Sequence, residues 1–280
     1  MSAQPTPQPP QPPQASQASQ ASAPAPQPAR EIERPTSGRL DGQELRPVYE
    51  TVRLLARPIV ALVCRLRTEG LTNIPTSGPV ILAMNHIHWT DIPLASIRVP
   101  RVTHYMSKIE NLRVPVLGQI LRWCGTFPVR RGEGDREALR TAERLLRDGQ
   151  IIVIFPEGHR SGTGVLLPAH PGAAYIALRT GAPIVPVAIS GTQRLFKSPR
   201  LGPWAPHVTI RYGRPFHLTN AASRRGRDSL AQATDQIMRE IAALLPPDQR
   251  GPYAGPSVSA IPNHPHLDTA SLPQPSEPTP

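Results

Sequence analysis

Apolar residues in this chain fall into short runs separated by polar loops, and the spacing inside each run indicates what it builds. Residues 79–84, 151–155 and 184–189 are unbroken apolar stretches of strand length, the pattern of strands covered on both faces. Residues 102–106, 125–130 and 208–212 read as further strands, the last near a sheet edge. Residues 70–75 read as a short strand leading into the Thr76-Ser77-Gly78 turn. Helical spacing covers 45–67, where Val48, Val52, Leu55, Ile59, Leu62 and Val63 recur and Pro58 predicts a kink. It returns over 90–97, 108–124, 135–148, 171–179 and 228–245. The clearest case is 135–148, with Ala138, Leu139, Ala142, Leu145 and Leu146 on one stripe and Gly149 as its stop. Helices alternating with buried strands predict a single α/β domain: a mixed, mostly parallel sheet with helices on both faces.

Composition trims the ends. The first 29 residues carry no charge and consist mainly of Pro, Gln, Ala and Ser, too little apolar side chain to offset the entropy of ordering. They lack the basic start and apolar centre of a signal peptide. The predicted organisation is a Pro/Gln/Ala/Ser-rich tail over 1–38, a folded domain over 39–250 and a Pro-rich tail over 251–280. The net charge is +11, and the C-terminal tail holds only Asp268 and Glu277, so the domain is more basic than the whole chain. Lys108 and Lys197 are the only lysines; the other basic residues are arginines, which suit phosphate groups. Few aromatics and no nucleic-acid-binding module place nucleic acid behind lipid as a partner. Cys64 and Cys124 have no ligand-like spacing and read as buried free thiols, which fits a reducing compartment. No apolar run reaches about 18 residues, so no spanning helix is predicted. The 45–67 helix, carrying Arg46, Arg53, Arg57, Arg65 and Arg67, has two readings: packed on the domain's flank, or lying in a membrane interface with arginines at anionic headgroups.

Two of the buried runs open into loops of ionisable residues. After 79–84 comes Asn85-His86-Ile87-His88-Trp89-Thr90-Asp91; after 151–154 comes Phe155-Pro156-Glu157-Gly158-His159-Arg160-Ser161. Residues five apart do not share a helix face, so His86 and Asp91 meet only if the chain turns between them, as a strand-to-helix loop allows. The carboxylate would then hold one ring nitrogen and leave the other to take a proton from a hydroxyl. No Ser or Cys stands in a nucleophile elbow, which points to direct activation of a substrate hydroxyl. His86-x-His88 also suggests a metal site, but Asp91 is one place too far along for the usual run. His88 reads instead as a packing or substrate-contact residue. Glu157-Gly158 gives a tight turn, Arg160 offers a fork to a phosphate oxygen, and Glu157 would accept from a substrate hydroxyl or hold an arginine. Arg130 closes a predicted strand.

Taken in order, His-x4-Asp, Gly-x-Phe-Pro-Val-Arg (125–130), Phe-Pro-Glu-Gly-x-Arg-Ser (155–161) and Val-Pro-Val-Ala-Ile-Ser-Gly (185–191) resemble the glycerolipid acyltransferase family, over about residues 60–218. The resemblance implies that His86 and Asp91 are the catalytic dyad, and that Arg130, Glu157, Gly158 and Arg160 bind the acceptor's phosphate. It further implies that the strand holding Val185 and Pro186 shapes the acyl side. Asn85, His88, His159, Ser161 and His170 are further candidate substrate contacts. The donor implied is a thioester of coenzyme A or acyl carrier protein, the acceptor the sn-2 hydroxyl of lysophosphatidate. No metal or resident cofactor is implied. The expected partners are an anionic membrane surface and the lyso-lipid, with carrier protein as the other donor, and the expected location is the cytoplasmic face of the cell membrane, peripheral or monotopic. The chain departs from the family in two places. His159 stands where Thr is usual, and Ala169-His170-Pro171-Gly172 stands where Phe-Lys-x-Gly is usual, which opens the alternative of another lyso-lipid acceptor, amino-acid-based lipids included. A non-catalytic membrane- or carrier-binding module is the other alternative.

Overall fold

The computed structural model of the chain describes residues 42–115, 117–129, 136–197, 201–218 and 227–255. Seven strands form one sheet: β1 (Arg65–Glu69), β2 (Val80–Met84), β3 (Thr103–Lys108), β4 (Thr126–Val129), β5 (Ile151–Ile154), β6 (Ile184–Ser190) and β7 (His207–Tyr212). Their order is β1-β7-β6-β2-β5-β3-β4, parallel throughout except for the antiparallel β6–β7 pair. Parallel neighbours need crossovers, and the helices between strands supply them: α2 (Asp91–Ser96), α3 (Ile109–Arg113), α4 (Leu117–Trp123), α5 (Arg136–Arg147) and α6 (Gly172–Thr180), while α1 (Gly42–Val63) precedes β1 and α7 (Arg227–Leu244) follows β7.

The unbroken apolar runs are central strands because each of their two faces meets a separate core. Ile81 and Ala83 of β2, Ile152 and Ile154 of β5, and Ile184 and Ala188 of β6 pack with the inner sides of α5, α6 and α7. Their alternate neighbours, Leu82 and Met84, Ile151 and Val153, Val185 and Val187, pack on the opposite face with Leu94 and Ala95 of α2. Each buried Val, Leu or Ile contributes about 1.5–3 kcal/mol, so polar substitutions in these strands are poorly tolerated. Register then sets up the site. Ala83 lies opposite Ile154 on one side and Pro186 on the other, so β2 and β5 end nearly level while β6 runs on to Ser190. Loops leaving the carboxyl ends of parallel strands at a sheet's centre are where α/β enzymes keep their ligands.

Three expectations need correction. The 45–67 helix stops at Val63, and the residues from Arg65 onward form β1, an edge strand parallel to β7. Arg65, Arg67 and Glu69 alternate there with Leu66 and Thr68, a period of two that also fits the polar flank of a helix. The strand expected over 70–75 is a 3-10 turn, Leu71–Asn73, entered through Gly70 at φ 73°; a Cβ on Gly70 would lie 2.1 Å from the Tyr212 carbonyl oxygen, so only glycine fits. The helix expected over 108–124 is two short ones, with Pro115 in the break. At the other end the fold runs past residue 250: Gly251–Tyr253 form a 3-10 turn, and the Tyr253 hydroxyl accepts a hydrogen bond from the Ala169 amide at 3.2 Å. Residues 1–38 and 256–280 of the expected tails lie outside the described residues.

α1 is fastened by polar groups on its inner side. The Tyr49 hydroxyl meets Thr103 Oγ1 at 2.8 Å, and Arg53 Nε donates to the Ile97 carbonyl at 3.2 Å. Tyr105 and Ser96 share a hydroxyl bond beneath α2, and the Tyr212 hydroxyl donates to the Ala95 carbonyl at 2.6 Å. The other side of α1 is open: Leu54 and Leu55 are each 65% exposed, Ile59 62% and Leu62 50%. Of the stripe read from the sequence, Val48, Leu55, Ile59 and Leu62 therefore face away from the domain, while Val52 and Val63 are half-buried. Among the described residues no helix is long and apolar enough to cross a membrane.

Candidate active site

The chain leaves β2 at Met84 and turns back within seven residues to begin α2 at Asp91. Asp91 Oδ2 closes the turn by accepting three hydrogen bonds, from His86 Nδ1 at 2.9 Å and from the amides of Ile87 at 2.6 Å and His88 at 2.8 Å. The carboxylate is fully buried. An ionised carboxylate can only accept, so His86 Nδ1 carries the ring proton and Nε2 keeps its lone pair. Among the described residues Nε2 has no hydrogen-bond partner. The imidazole is stacked on Phe155 with ring centroids 4.1 Å apart, and Phe155 opens the loop after β5. The ring is thus gripped from one side by a carboxylate and from another by an aromatic face.

Glu157 corrects an expectation. It is 1% exposed and holds backbone, not phosphate: Oε1 accepts from the His86 amide at 2.8 Å and Oε2 from the Leu167 amide at 2.8 Å. Both carboxylate oxygens are held by backbone N–H groups, the side chain is closed to a substrate by its burial, and its charge would repel a phosphate. Burial raises its pKa from 4.5 to about 7; the two amide bonds pull the other way, and the nearby Asp91 charge adds to the rise. The same turn also takes the other side of His86, because the Ser161 amide donates to the His86 carbonyl at 2.8 Å. The two loops, far apart in sequence, meet as one piece of backbone around the histidine.

The remaining expected residues divide by placement. Asn85 is 2% exposed; its amide donates to the Ile189 carbonyl at 3.0 Å and accepts from the Ile189 amide at 2.8 Å. It joins the ends of β2 and β6 and is not open to a substrate, which corrects the substrate-contact expectation. Gly158 sits at φ 70°, and a Cβ there would lie 2.8 Å from His170 Cδ2, so the glycine lets the His170 ring lie against the turn. His159, Arg160 and His170 are exposed, and Ser161 is half-buried. His88 is half-buried with Nδ1 at 2.9 Å from Thr90 Oγ1. Burial lowers its pKa most; Asp91 opposes that, and Arg160, His86 and Lys197 reinforce it. Val185 is fully buried in the core beneath α2, with Pro186 beside it between β2 and β7. Arg130 lies outside the described residues. Among the described residues no group of three His, Cys, Asp or Glu side chains stands together as a metal-binding set. Cys64 is buried and free, its thiol pushed up to about 11 by burial, and Cys124 is half-buried.

Sequence reasoning missed an aromatic pair at the mouth. Trp89, in the His86 loop, is stacked on Phe196 with centroids 5.7 Å apart, and both are mostly exposed. Phe196 takes φ 63°, the left-handed region that non-glycine residues rarely adopt. No apolar periodicity marks such residues, because both lie in short loops flanked by polar residues.

The arrangement can take a proton from a hydroxyl at His86 Nε2 and hold the resulting imidazolium against Asp91, with a cationic rim beside it. Comparison with known proteins gives the following. A family model described as Acyltransferase matches residues 65–190. The 1-acyl-sn-glycerol-3-phosphate acyltransferase of Bacillus subtilis (strain 168) is 30% identical over 201 residues, spanning 70% of this chain and 96% of that protein. The lyso-ornithine lipid O-acyltransferase of Pseudomonas aeruginosa is 35% identical over 156 residues, 54% of this chain and 58% of that protein. The crystal structure of the 1-acyl-sn-glycerophosphate acyltransferase PlsC from Thermotoga maritima shares the fold, with a TM-score of 0.55 at 24% identity over 72% of this chain and 82% of that one.

Proposed function

The chain belongs to the glycerolipid acyltransferases, O-acyltransferases of phospholipid biosynthesis, and from that membership we propose that it esterifies the sn-2 hydroxyl of lysophosphatidate with a fatty acyl group from a coenzyme A or carrier-protein thioester. The observation that carries this reading is the 2.9 Å contact of His86 Nδ1 with buried Asp91, which leaves Nε2 free. In this mechanism Nε2 takes the hydroxyl proton as the acceptor oxygen attacks the thioester carbonyl carbon. The imidazolium so formed is stabilised by Asp91. Collapse of the tetrahedral intermediate breaks the carbon–sulfur bond, and the leaving thiolate regains the proton from Nε2 as a thiol. An ester is formed, a thioester is consumed, and His86 returns to its starting state. Arg160, with Arg130 from outside the described residues, would meet the acceptor's phosphate; Glu157 would hold His86 in place, and Val185 and Pro186 would lie on the acyl side. No metal is called for in these steps.

Acceptor and product are amphiphiles, so the reading places the work at a membrane surface with anionic phospholipid, on its cytoplasmic face. The outward Leu54, Leu55, Ile59 and Leu62 of α1 support it, because an exposed apolar stripe on a surface helix is what an interface buries.

A second acceptor has support of its own. His159 and His170 stand where the family usually carries Thr and Lys, and a relative that matches at 35% identity is a lyso-ornithine lipid acyltransferase. Incubating the protein with oleoyl-CoA and either labelled lysophosphatidate or labelled lyso-ornithine lipid, with His86→Ala alongside, separates the readings. Labelled phosphatidate formed by the wild type, and reduced about 10²- to 10⁴-fold in the variant, is expected. Turnover of only the ornithine lipid would move the assignment to that acceptor, and thiol release without either product would overturn both.

A further inference from the structure

A hollow of about 480 Å³ opens between the end of β6 and the start of β7, lined by Arg65, Arg194, Lys197, Trp204 and His207 with two prolines and an alanine. No carboxylate lines it, and none of its basic side chains has an ion-pair partner among the described residues. We propose that this hollow is a docking site for the headgroup of an anionic phospholipid in the bilayer, separate from the acceptor site at His86. Four positions that can carry positive charge, left uncompensated in a concave surface, attract a phosphodiester. The surroundings select a lipid over a soluble anion. Trp204 is 76% exposed, Phe196 63%, Trp89 56% and Leu201 50%, and aromatic rings beside cations are the side chains that settle at headgroup depth.

The hollow also continues surfaces already described. Its floor follows α1, since Arg65 comes two residues after the helix ends and α1 packs on the 3-10 turn Gly202–Trp204. On the other side, Phe196 lies between Arg194 and Lys197 in sequence and stacks on Trp89 of the His86 loop. The left-handed φ of Phe196 carries a conformational cost, and its ring stays mostly exposed beside Trp89 and His88. Headgroup binding here would hold the mouth of the active site against the lipid surface. The proposal rests on the bilayer reading given above, and it adds a second contact that does not involve the apolar side of α1.

The test uses the full chain and vesicles of pure phosphatidylcholine or of phosphatidylcholine with about a quarter phosphatidylglycerol. Arg194→Gln with Lys197→Gln is compared with Arg140→Gln with Arg144→Gln, an equal charge loss on the exposed side of α5. Removing two cations that touch headgroups is expected to lower partitioning onto the anionic vesicles on the order of tenfold. The α5 pair should change it far less, and Trp204→Phe should shrink the blue shift of tryptophan emission on vesicle addition. Unchanged partitioning, or an equal loss in both pairs, overturns the proposal. So does a raised KM for acyl carrier protein with vesicle binding intact, which would make the hollow a protein dock. Activity on micelle-dispersed lysophosphatidate is read separately: a protein that docks through Arg194 and Lys197 but acylates no lysophosphatidate refutes that acceptor and leaves the docking site standing.

Discussion

Asp91 Oδ2 takes three donors, so the residue sets both the turn and the tautomer of His86. Asp91→Asn keeps the shape but removes the charge that stabilises an imidazolium. The expected result is a fall in kcat of about 10²- to 10⁴-fold with the acceptor's KM nearly unchanged; steady-state kinetics on both substrates would check it, and a change confined to KM would refute the role. Glu157 makes a different prediction. Its pKa in the fold is about 7 against an ordinary 4.5, so the folded protein binds this proton more tightly than the unfolded chain does. The stability it contributes is therefore complete below pH 4.5 and is lost as the pH rises through 7, by about 3 kcal/mol in all. Glu157→Gln has no such proton, and one of its two amide donors is left facing an –NH2. Denaturant midpoints should show wild type losing stability relative to Glu157→Gln between about pH 5 and about pH 8, and parallel curves would show that the carboxyl titrates at its ordinary value. Asn85 and Glu157 also mark the limit of reading residues in sequence. Their types suit a substrate contact; only burial shows that backbone amides have claimed them.

Elements were legible in proportion to how strongly one period dominated them. β2, β5 and β6 show as apolar runs because both faces are covered, and α5 shows as a single stripe above a polar face. β1 was hidden since its arginines look outward from a sheet edge as they would from a helix. α3 and α4 read as one helix because their apolar positions keep helical phase across Pro115. α1 shows what phase alone leaves open: Tyr49 and Arg53 hold it while its leucines face out. Replacing Leu55 and Ile59 with Gln should hence leave the melting temperature nearly unchanged, within about 0.5 kcal/mol, and reduce sedimentation with vesicles. A large loss of stability would mean those side chains are covered within the protein. Tyr49→Phe is the complement, costing about 1 kcal/mol through the lost hydroxyl bond to Thr103 with vesicle binding retained.

At the scale of the molecule, alternation of strand and helix announced the sheet but not its order, because order is decided by which faces pack and no local pattern records that. β2 ends up central although it is the second strand in sequence, and that position brings the His86 loop level with the loop after β5 and alongside the last residues of β6. His86 is consequently bound through its side chain to α2, through its amide to Glu157 and through its carbonyl to Ser161. Freeing that amide means parting the ends of the two innermost strands, which takes most of the sheet with it. In hydrogen–deuterium exchange, the His86 amide should then be among the slowest, exchanging at the rate set by global unfolding even though it lies in a loop. A fast amide there would mean that the site opens by itself while the sheet stays intact.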